Sequence, residues 1–418
     1  MTSRLRQRNR DPLGAPGAEA WSESADEDDG ETGDDFAFFE GLHDDDDDDS
    51  EVFFDMARQK MRTGKAGLQG PPAAPPTGIA AIWQRLKRLN EGGVLVQGLG
   101  IPARHALALW GLSMLARGQV SRRTAGLAIS LWIVSGLGVT AGAHRLWAHQ
   151  SYHASPTMEW LLMIMFSVAD QGPIRGWCLT HAMHHVASDT QQDPHNRQEG
   201  FWHAHFGWLY SDKRFILPAR EHDRVIRGLG PPVHFHDRHF LYWDPLWSHV
   251  MPGLVAALWG EPIAGFLFAG AFRWCCVQHI TFFVNSVAHG EREPGDDVLF
   301  DATASDIGPR VSPLTTLLAL GEGWHDYHHL FPWDYAAAEL GAWDQWNPTK
   351  VFIDTCSALG IVSGRRRCSR SLQEARRRQM LQRAADLRIP GIAKADTCCF
   401  ELKGPPFFRH RAAVKSAA

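Results

Sequence analysis

Nine of the chain's 22 histidines fall into four short clusters: His144-Arg-Leu-Trp-Ala-His149, His181-Ala-Met-His184-His185, Asn285-Ser-Val-Ala-His289 and His325-Asp-Tyr-His328-His329. A buried imidazole is costly unless its ring nitrogens are paired, so repeated His-x-x-His-His clusters need a common partner. Metal is the natural one, because neutral imidazole is the commonest metal-ligating side chain. Apolar stretches long enough to cross a membrane lie between the clusters.

Spacing supports a metal centre. On a helix, His181, His184 and His185 sit at i, i+3 and i+4 and share one face, and His325, His328 and His329 repeat that geometry. His144 and His149 are five apart and diverge on a regular helix, so they converge only at a helix end or bend. The scattered His203, His205, His222, His234, His236, His239 and His249 read as surface residues or supports behind the ligands.

The 418 residues are expected to form one membrane-embedded unit with polar tails: a disordered acidic tail over 1–80, a core over 81–380 and a flexible tail over 381–418. The first tail holds the unbroken run Asp44 to Asp49, read as solvated with calcium binding as the lesser alternative. Four spanning helices are expected, approximately Gly93 to Ala116, Thr124 to Ala143, Pro245 to Trp259 and Pro262 to Asn285. The fold class is therefore an all-α membrane protein of two hairpins under a cytosolic helical cap. Thr157 to Ala169 is too short to cross and reads as an interfacial helix or a lid over the metals.

Two hairpins return the chain to one side each time, so all four clusters can lie on one membrane face. Basic residues before the first helix (Arg58, Lys60, Arg62, Lys65, Arg85, Lys87, Arg88) and after the last (Arg365 to Arg367, Arg376 to Arg378) place both termini and the metal site in the cytosol. Arg117, Arg122 and Arg123, in the opposite loop, run against that bias. No apolar signal sequence precedes the first helix, which is expected to direct insertion itself. The seven cysteines suggest no disulfide framework, and no nucleic-acid partner is expected.

Histidine ligation without thiolates suits iron, zinc or copper. Nine imidazoles exceed what one tetrahedral zinc can use. Two redox ions can activate oxygen, and the membrane setting suggests a water-insoluble substrate. The clusters, together with Asp193-Pro-His-Asn196, Gly200-Phe-Trp-His-Ala-His-Phe-Gly-Trp208 and Gly321-Glu-Gly-Trp-His-Asp-Tyr-His-His-Leu-Phe-Pro-Trp-Asp-Tyr335, resemble the membrane-bound acyl-CoA desaturases of the stearoyl-CoA, Δ9 type. The likeness covers roughly residues 90 to 380, in order and with similar gaps.

The resemblance implies a di-iron enzyme of the endoplasmic reticulum membrane that inserts a cis double bond into a saturated acyl chain. It would use O2 and two electrons from a separate cytochrome b5-type donor, since no His-Pro-Gly-Gly haem pattern is fused to this chain. It also implies that one iron takes His144, His149, His181, His185 and His328, and the other His184, His289, His325 and His329, with Asn285 holding a water beside it. Asp193, Glu322 and Asp326 are the carboxylates expected to orient ligands. Trp132 would floor the acyl tunnel, twelve residues before His144, with Gly136 leaving room one turn nearer the metals.

The head-group region departs from the family. Leu179-Thr180 replaces an Arg-Asp pair, Gly172 an Asn, and Asp212-Lys213 a basic pair of which only Lys213 remains to meet the acyl carrier. An acyl-lipid substrate is therefore the near alternative to acyl-CoA. A membrane di-iron hydroxylase shares the clusters, and a divalent-metal transporter is the reading outside enzymes. A transporter's ligands should lie near the membrane midplane, whereas these clusters flank the apolar runs.

Overall fold

The computed structural model describes residues 52–55, 99–211, 214–291, 307–386 and 399–414. Asp212, Lys213 and most of the acidic tail lie outside the described residues. Within that tail, Val52–Asp55 pairs antiparallel with Arg214–Leu217.

Helix boundaries follow local chemistry. Helix α1 (Ile101–Ala116) carries Pro102 in its first turn, where the missing N–H costs no hydrogen bond. Helix α2 opens at Arg122 because the Ser121 side chain accepts from the Thr124 N–H, and it continues unbroken to Ala148. Helix α3 (Pro156–Ala169) is capped by Ser155 and ends at Asp170, whose φ of 51° turns the chain out of the helix. Helix α4 (Ile174–Val186) follows Pro173. A longer rod, α5, begins as Pro231–Pro245 and runs on through Leu246–Val250 to Met251–Ala257. A Gly260 turn (φ 81°) reverses it into α6 (Pro262–Ser286).

Two of these helices, α2 with 27 residues and α6 with 25, are long and apolar enough to cross a membrane. The described part of α1 has only 16 residues. The third expected span differs in its start: the helix extends back through Pro245 to Pro231, and its first half carries His234, His236, Asp237, Arg238 and His239. Proline removes one ladder hydrogen bond, and the widened turn Leu246–Val250 follows directly and lets the rod continue.

One face of helix α3 is built into the core. Leu162, Met163 and Phe166 are fully buried, and Met158 and Met165 nearly so. Trp160 and Leu161, by contrast, are 40% and 49% exposed, so part of the helix's apolar surface is not covered by the protein. It lies against α2 at Gly138, where an added Cβ would stand 2.3 Å from the Met165 carbonyl carbon. At Gly111 of α1 a Cβ would stand 2.3 Å from the Leu267 oxygen of α6. Those two glycines set how closely the helices approach.

The loops after α1 and α5 meet. Glu261 accepts from the Ser121 N–H at 3.2 Å and from the Thr124 hydroxyl at 2.5 Å, and Trp259 donates to Thr124 at 2.9 Å. The first histidine cluster lies at the far end of α2, the second on α4, and the third runs off the far end of α6. Beyond them come the short helix α7 (His325–Leu330), α8 (Pro348–Ala358), capped by Asn347, and α9 (Arg370–Asp386). Near the C-terminus, Cys399–Lys403 pairs antiparallel with His410–Val414. Arg409 holds this hairpin to Asp344 at 2.9 Å and Arg411 to Glu339 at 3.1 Å, with the buried Arg377 on Glu339 at 2.6 Å.

Candidate metal centre

The backbone of α2 changes pitch just before the first cluster. Over Gly138–Ala148 the hydrogen bonds run i to i+5, and the His149 N–H meets the His144 carbonyl at 3.0 Å. A π-helical turn brings residues five apart onto one face. The bend required between His144 and His149 is thus a change of helix type, and their rings lie 4.8 Å apart.

All nine histidines converge, in two groups. His144, His149, His181, His185 and His328 form one, and His184, His289, His325 and His329 the other, with ligand atoms in each group within 4.8 Å of one another. Helices α4 and α7 each serve both. The i, i+4 pair His181 and His185 enters the first group while His184 crosses to the second; His325 and His329 enter the second while His328 crosses to the first. His185 and His329 stack between them at 4.3 Å.

The donor set fits metal. The Nδ1 of His184 donates to Asp193 at 3.0 Å and that of His289 to Asp189 at 2.7 Å. With those protons on Nδ1, both Nε2 atoms present lone pairs, and they face each other at 3.1 Å. Facing lone pairs at that distance repel unless a cation lies between them. In the first group, His144 Nδ1 is bound to Glu322 at 2.9 Å and its Nε2 faces His328 Nε2 at 2.9 Å. His149 and His181 meet likewise at 2.8 Å, and His185 and His328 at 3.0 Å.

Burial and then the neighbouring imidazoles hold His149, His181, His185, His325, His328 and His329 well below the usual histidine range. His184 is the exception. Burial lowers it, but Asp193 outweighs that and raises it. Burial works against ionising Asp193 and Glu322, yet His184 on the first and Arg145 with His144 on the second bring each down to about 2. Those six rings are held as neutral donors, while His144, His184 and His289 are the ones a carboxylate orients, the arrangement that fixes tautomers and strengthens ligands.

Two of the three expected carboxylates, Asp193 and Glu322, contact ligand rings directly; Asp326 is buried beside His325. Sequence reading missed Asp189, four residues beyond His185, because its partner His289 is a hundred residues away. It also missed Arg145. That side chain is 1% exposed, pairs with Glu322 at 2.7 Å and donates to the Tyr335 carbonyl at 2.9 Å, so it locks the carboxylate that orients His144. A third omission is a wall beside the first group: Trp177 stacks on His181 at 5.1 Å and donates to Gln171 at 3.1 Å, and Gln171 donates to Thr281 at 2.7 Å.

The remaining candidates are placed as follows. Asn285 is half-buried, one turn before His289, and its side chain has no hydrogen-bond partner among the described residues. Trp132 packs against the main core cluster. Gly136 does not leave open room: a Cβ there would stand 2.7 Å from Leu320 Cδ1, so Leu320 already fills the space. Three of the scattered histidines are not at the surface. His205, His236 and His249 are buried, with His236 bound to Asp244 at 2.8 Å.

Nine imidazoles gathered into two groups, three of them oriented by carboxylates, make a site compatible with metal, in a chain with two helices long and apolar enough to cross a membrane. Residues 124–345 match the fatty acid desaturase family model. The chain is 38% identical over 279 residues to stearoyl-CoA desaturase 5 of Bos taurus, an alignment spanning 65% of this chain and 79% of the relative. To stearoyl-CoA desaturase 5 of Homo sapiens it is 34% identical over 79% of this chain and 96% of that one. A probable acyl-CoA desaturase of Schizosaccharomyces pombe is 38% identical over 62% of this chain, which spans about half of that longer protein (53%). The chain belongs to the fatty acid desaturase family.

Proposed function

We propose that this protein is an acyl-CoA desaturase inserting a cis double bond at the Δ9 position of a saturated fatty acyl chain, with O2 and two electrons from a cytochrome b5-type donor. The observation that carries it is the pair of inward-facing imidazole groups. His144, His149, His181, His185 and His328 would hold one iron, and His184, His289, His325 and His329 the other. Iron bound there supplies the oxidant that unactivated methylene groups require and that no side-chain acid or base can provide.

The chain's own residues do the positioning. Glu322, Asp193 and Asp189 hold Nδ1 protons on His144, His184 and His289 and so keep each Nε2 turned inward. Arg145 keeps Glu322 ionised in a buried setting. Trp177, Gln171 and Thr281 form a hydrogen-bonded wall against which an extended chain can be held. Trp132, with Leu320 set beside Gly136, is suited to close the far end. Asn285, one turn from His289 and without a side-chain hydrogen-bond partner among the described residues, can hold a water beside the second group.

We place the protein in the endoplasmic reticulum membrane, with four spans in two hairpins and with the metal centre and both termini in the cytosol. The meeting of the two return loops at Glu261 supports paired hairpins, and the basic flanks support the orientation. Acyl-CoA is favoured over acyl-lipid by the acyl-CoA desaturase names of the relatives. Lys213 is the residue we assign to the carrier's phosphates. Expression in a desaturase-deficient cell fed defined saturated chains, with product double bonds located by mass spectrometry, tests the proposal. Δ9-monounsaturated product is expected; unchanged saturated chains or hydroxylated product would overturn it.

A further inference from the structure

A second arrangement of facing imidazoles lies away from the nine, between α1 and α6. His105 Nε2 stands 3.3 Å from His279 Nε2. Their tautomers can be worked out. His105 Nδ1 lies 2.8 Å from the Ile101 carbonyl, which only accepts, so the proton is on Nδ1. At the other end the Ser286 hydroxyl donates to the Phe282 carbonyl at 2.8 Å and therefore accepts from His205 Nδ1 at 2.9 Å. His205 Nε2 is then a lone pair, and it accepts from His279 Nδ1 at 2.9 Å. Both Nε2 atoms that face each other at 3.3 Å are left unprotonated.

A thiol completes the set. Cys275 precedes His279 by one turn of α6, and its sulfur lies within 4.8 Å of a ring nitrogen of each histidine. Two imidazoles and one thiol are soft to borderline donors. The 3.3 Å separation exceeds the usual N–H···N length but equals the edge of a tetrahedron whose metal–nitrogen bonds are ~2.0–2.1 Å. Arg104, next in sequence to His105, is already neutralised by Asp170 at 2.8 Å. We propose that His105, His279 and Cys275 form a site for one zinc ion, which would clamp α1 to α6. Binding forms two Zn–N bonds and one Zn–S bond in place of waters on the hydrated ion, one water keeps the fourth tetrahedral position, and the thiol proton leaves to solvent. The site shares no ligand with the nine-histidine centre.

Full-length protein purified in detergent and measured for metals should carry one zinc per chain in addition to its iron. His105→Ala and Cys275→Ala should each remove that zinc and leave iron unchanged, whereas Cys276→Ala should alter neither. Added Zn2+ should slow alkylation of Cys275, read by peptide mass spectrometry, by roughly tenfold, and a chelator should restore the rate. If a variant also loses iron, its fold is compromised and the wild-type alkylation result decides. Zinc content unchanged in both variants, copper in its place, or alkylation indifferent to Zn2+ and chelator overturns the site.

Discussion

At the scale of single residues, the two histidines that cross between groups are the sharpest test of a shared centre. His184→Ala or His328→Ala is expected to abolish desaturation while leaving membrane insertion intact, measured as mono-unsaturated product per mole of protein. His222→Ala, at a partly exposed residue paired with Asp223, should change little. Asp189→Asn removes the acceptor that holds His289 and should weaken metal retention by about 10–100-fold. His236→Ala acts differently: it strands buried Asp244 and should cost about 1–3 kcal/mol of stability without touching the metal groups. The depth of the acyl site is also a residue question. Trp132→Ala should admit longer chains, and Gly136→Phe should shift preference to shorter ones or expel Leu320, because packed interiors resist added volume at a cost of ~1–3 kcal/mol. Competition among saturated chains of graded length reads this directly. An unchanged profile in both variants would place Trp132 outside the tunnel.

Helices bring these residues together through two devices: the pitch change in α2 and its close approach to α3. Gly138→Ala puts a Cβ 2.3 Å from backbone atoms of α3, where no flexible side chain can yield. The helices must separate, and a loss of ~1–3 kcal/mol is expected, seen as a lower melting temperature in detergent. Gly126→Ala, on the same helix with nothing within 4 Å of its added Cβ, should be neutral or stabilising by up to ~1 kcal/mol. The pair separates helix propensity from packing. If both variants melt alike, the close approach at Gly138 carries no weight.

For the whole molecule the collected shifts set a pH dependence. Six ligand imidazoles titrate well below the unfolded value of about 6.5. Below that value the unfolded chain takes up protons that the folded one refuses, so stability falls as pH drops. Asp193 and Glu322, at about 2, add a further loss as pH falls through and below the unfolded carboxylate range near ~4. His184, raised, has the opposite sign and is outnumbered. Iron content and melting temperature are therefore expected to hold above about pH 7 and to decline together below about 6.5. Retention of both down to about pH 5 would contradict the neutral-imidazole reading. At the same scale, Asp212→Arg is expected to strengthen acyl-CoA use, most clearly at low salt, by removing a carboxylate that repels phosphates. Unchanged turnover with acyl-CoA would show that position to be idle.

The sequence determined what local chemistry can carry. Ligand type, the i, i+3, i+4 faces of α4 and α7, the Ser121, Ser155 and Asn347 caps and the Gly260 reversal all rest on neighbours within a few residues. Tertiary structure decided which rings meet. Spacing gives His184 and His185 equal claims on either group; only the docking of α4 against α7 sends them apart. The same holds for Asp189 behind His289, for Leu320 filling the space at Gly136, for the burial of Leu162, Met163 and Phe166 on α3, and for His105 opposite His279. Each of those contacts joins segments tens to hundreds of residues apart, selected by how side-chain volumes pack between helices. Periodicity along one helix carries no record of what its neighbour will bring.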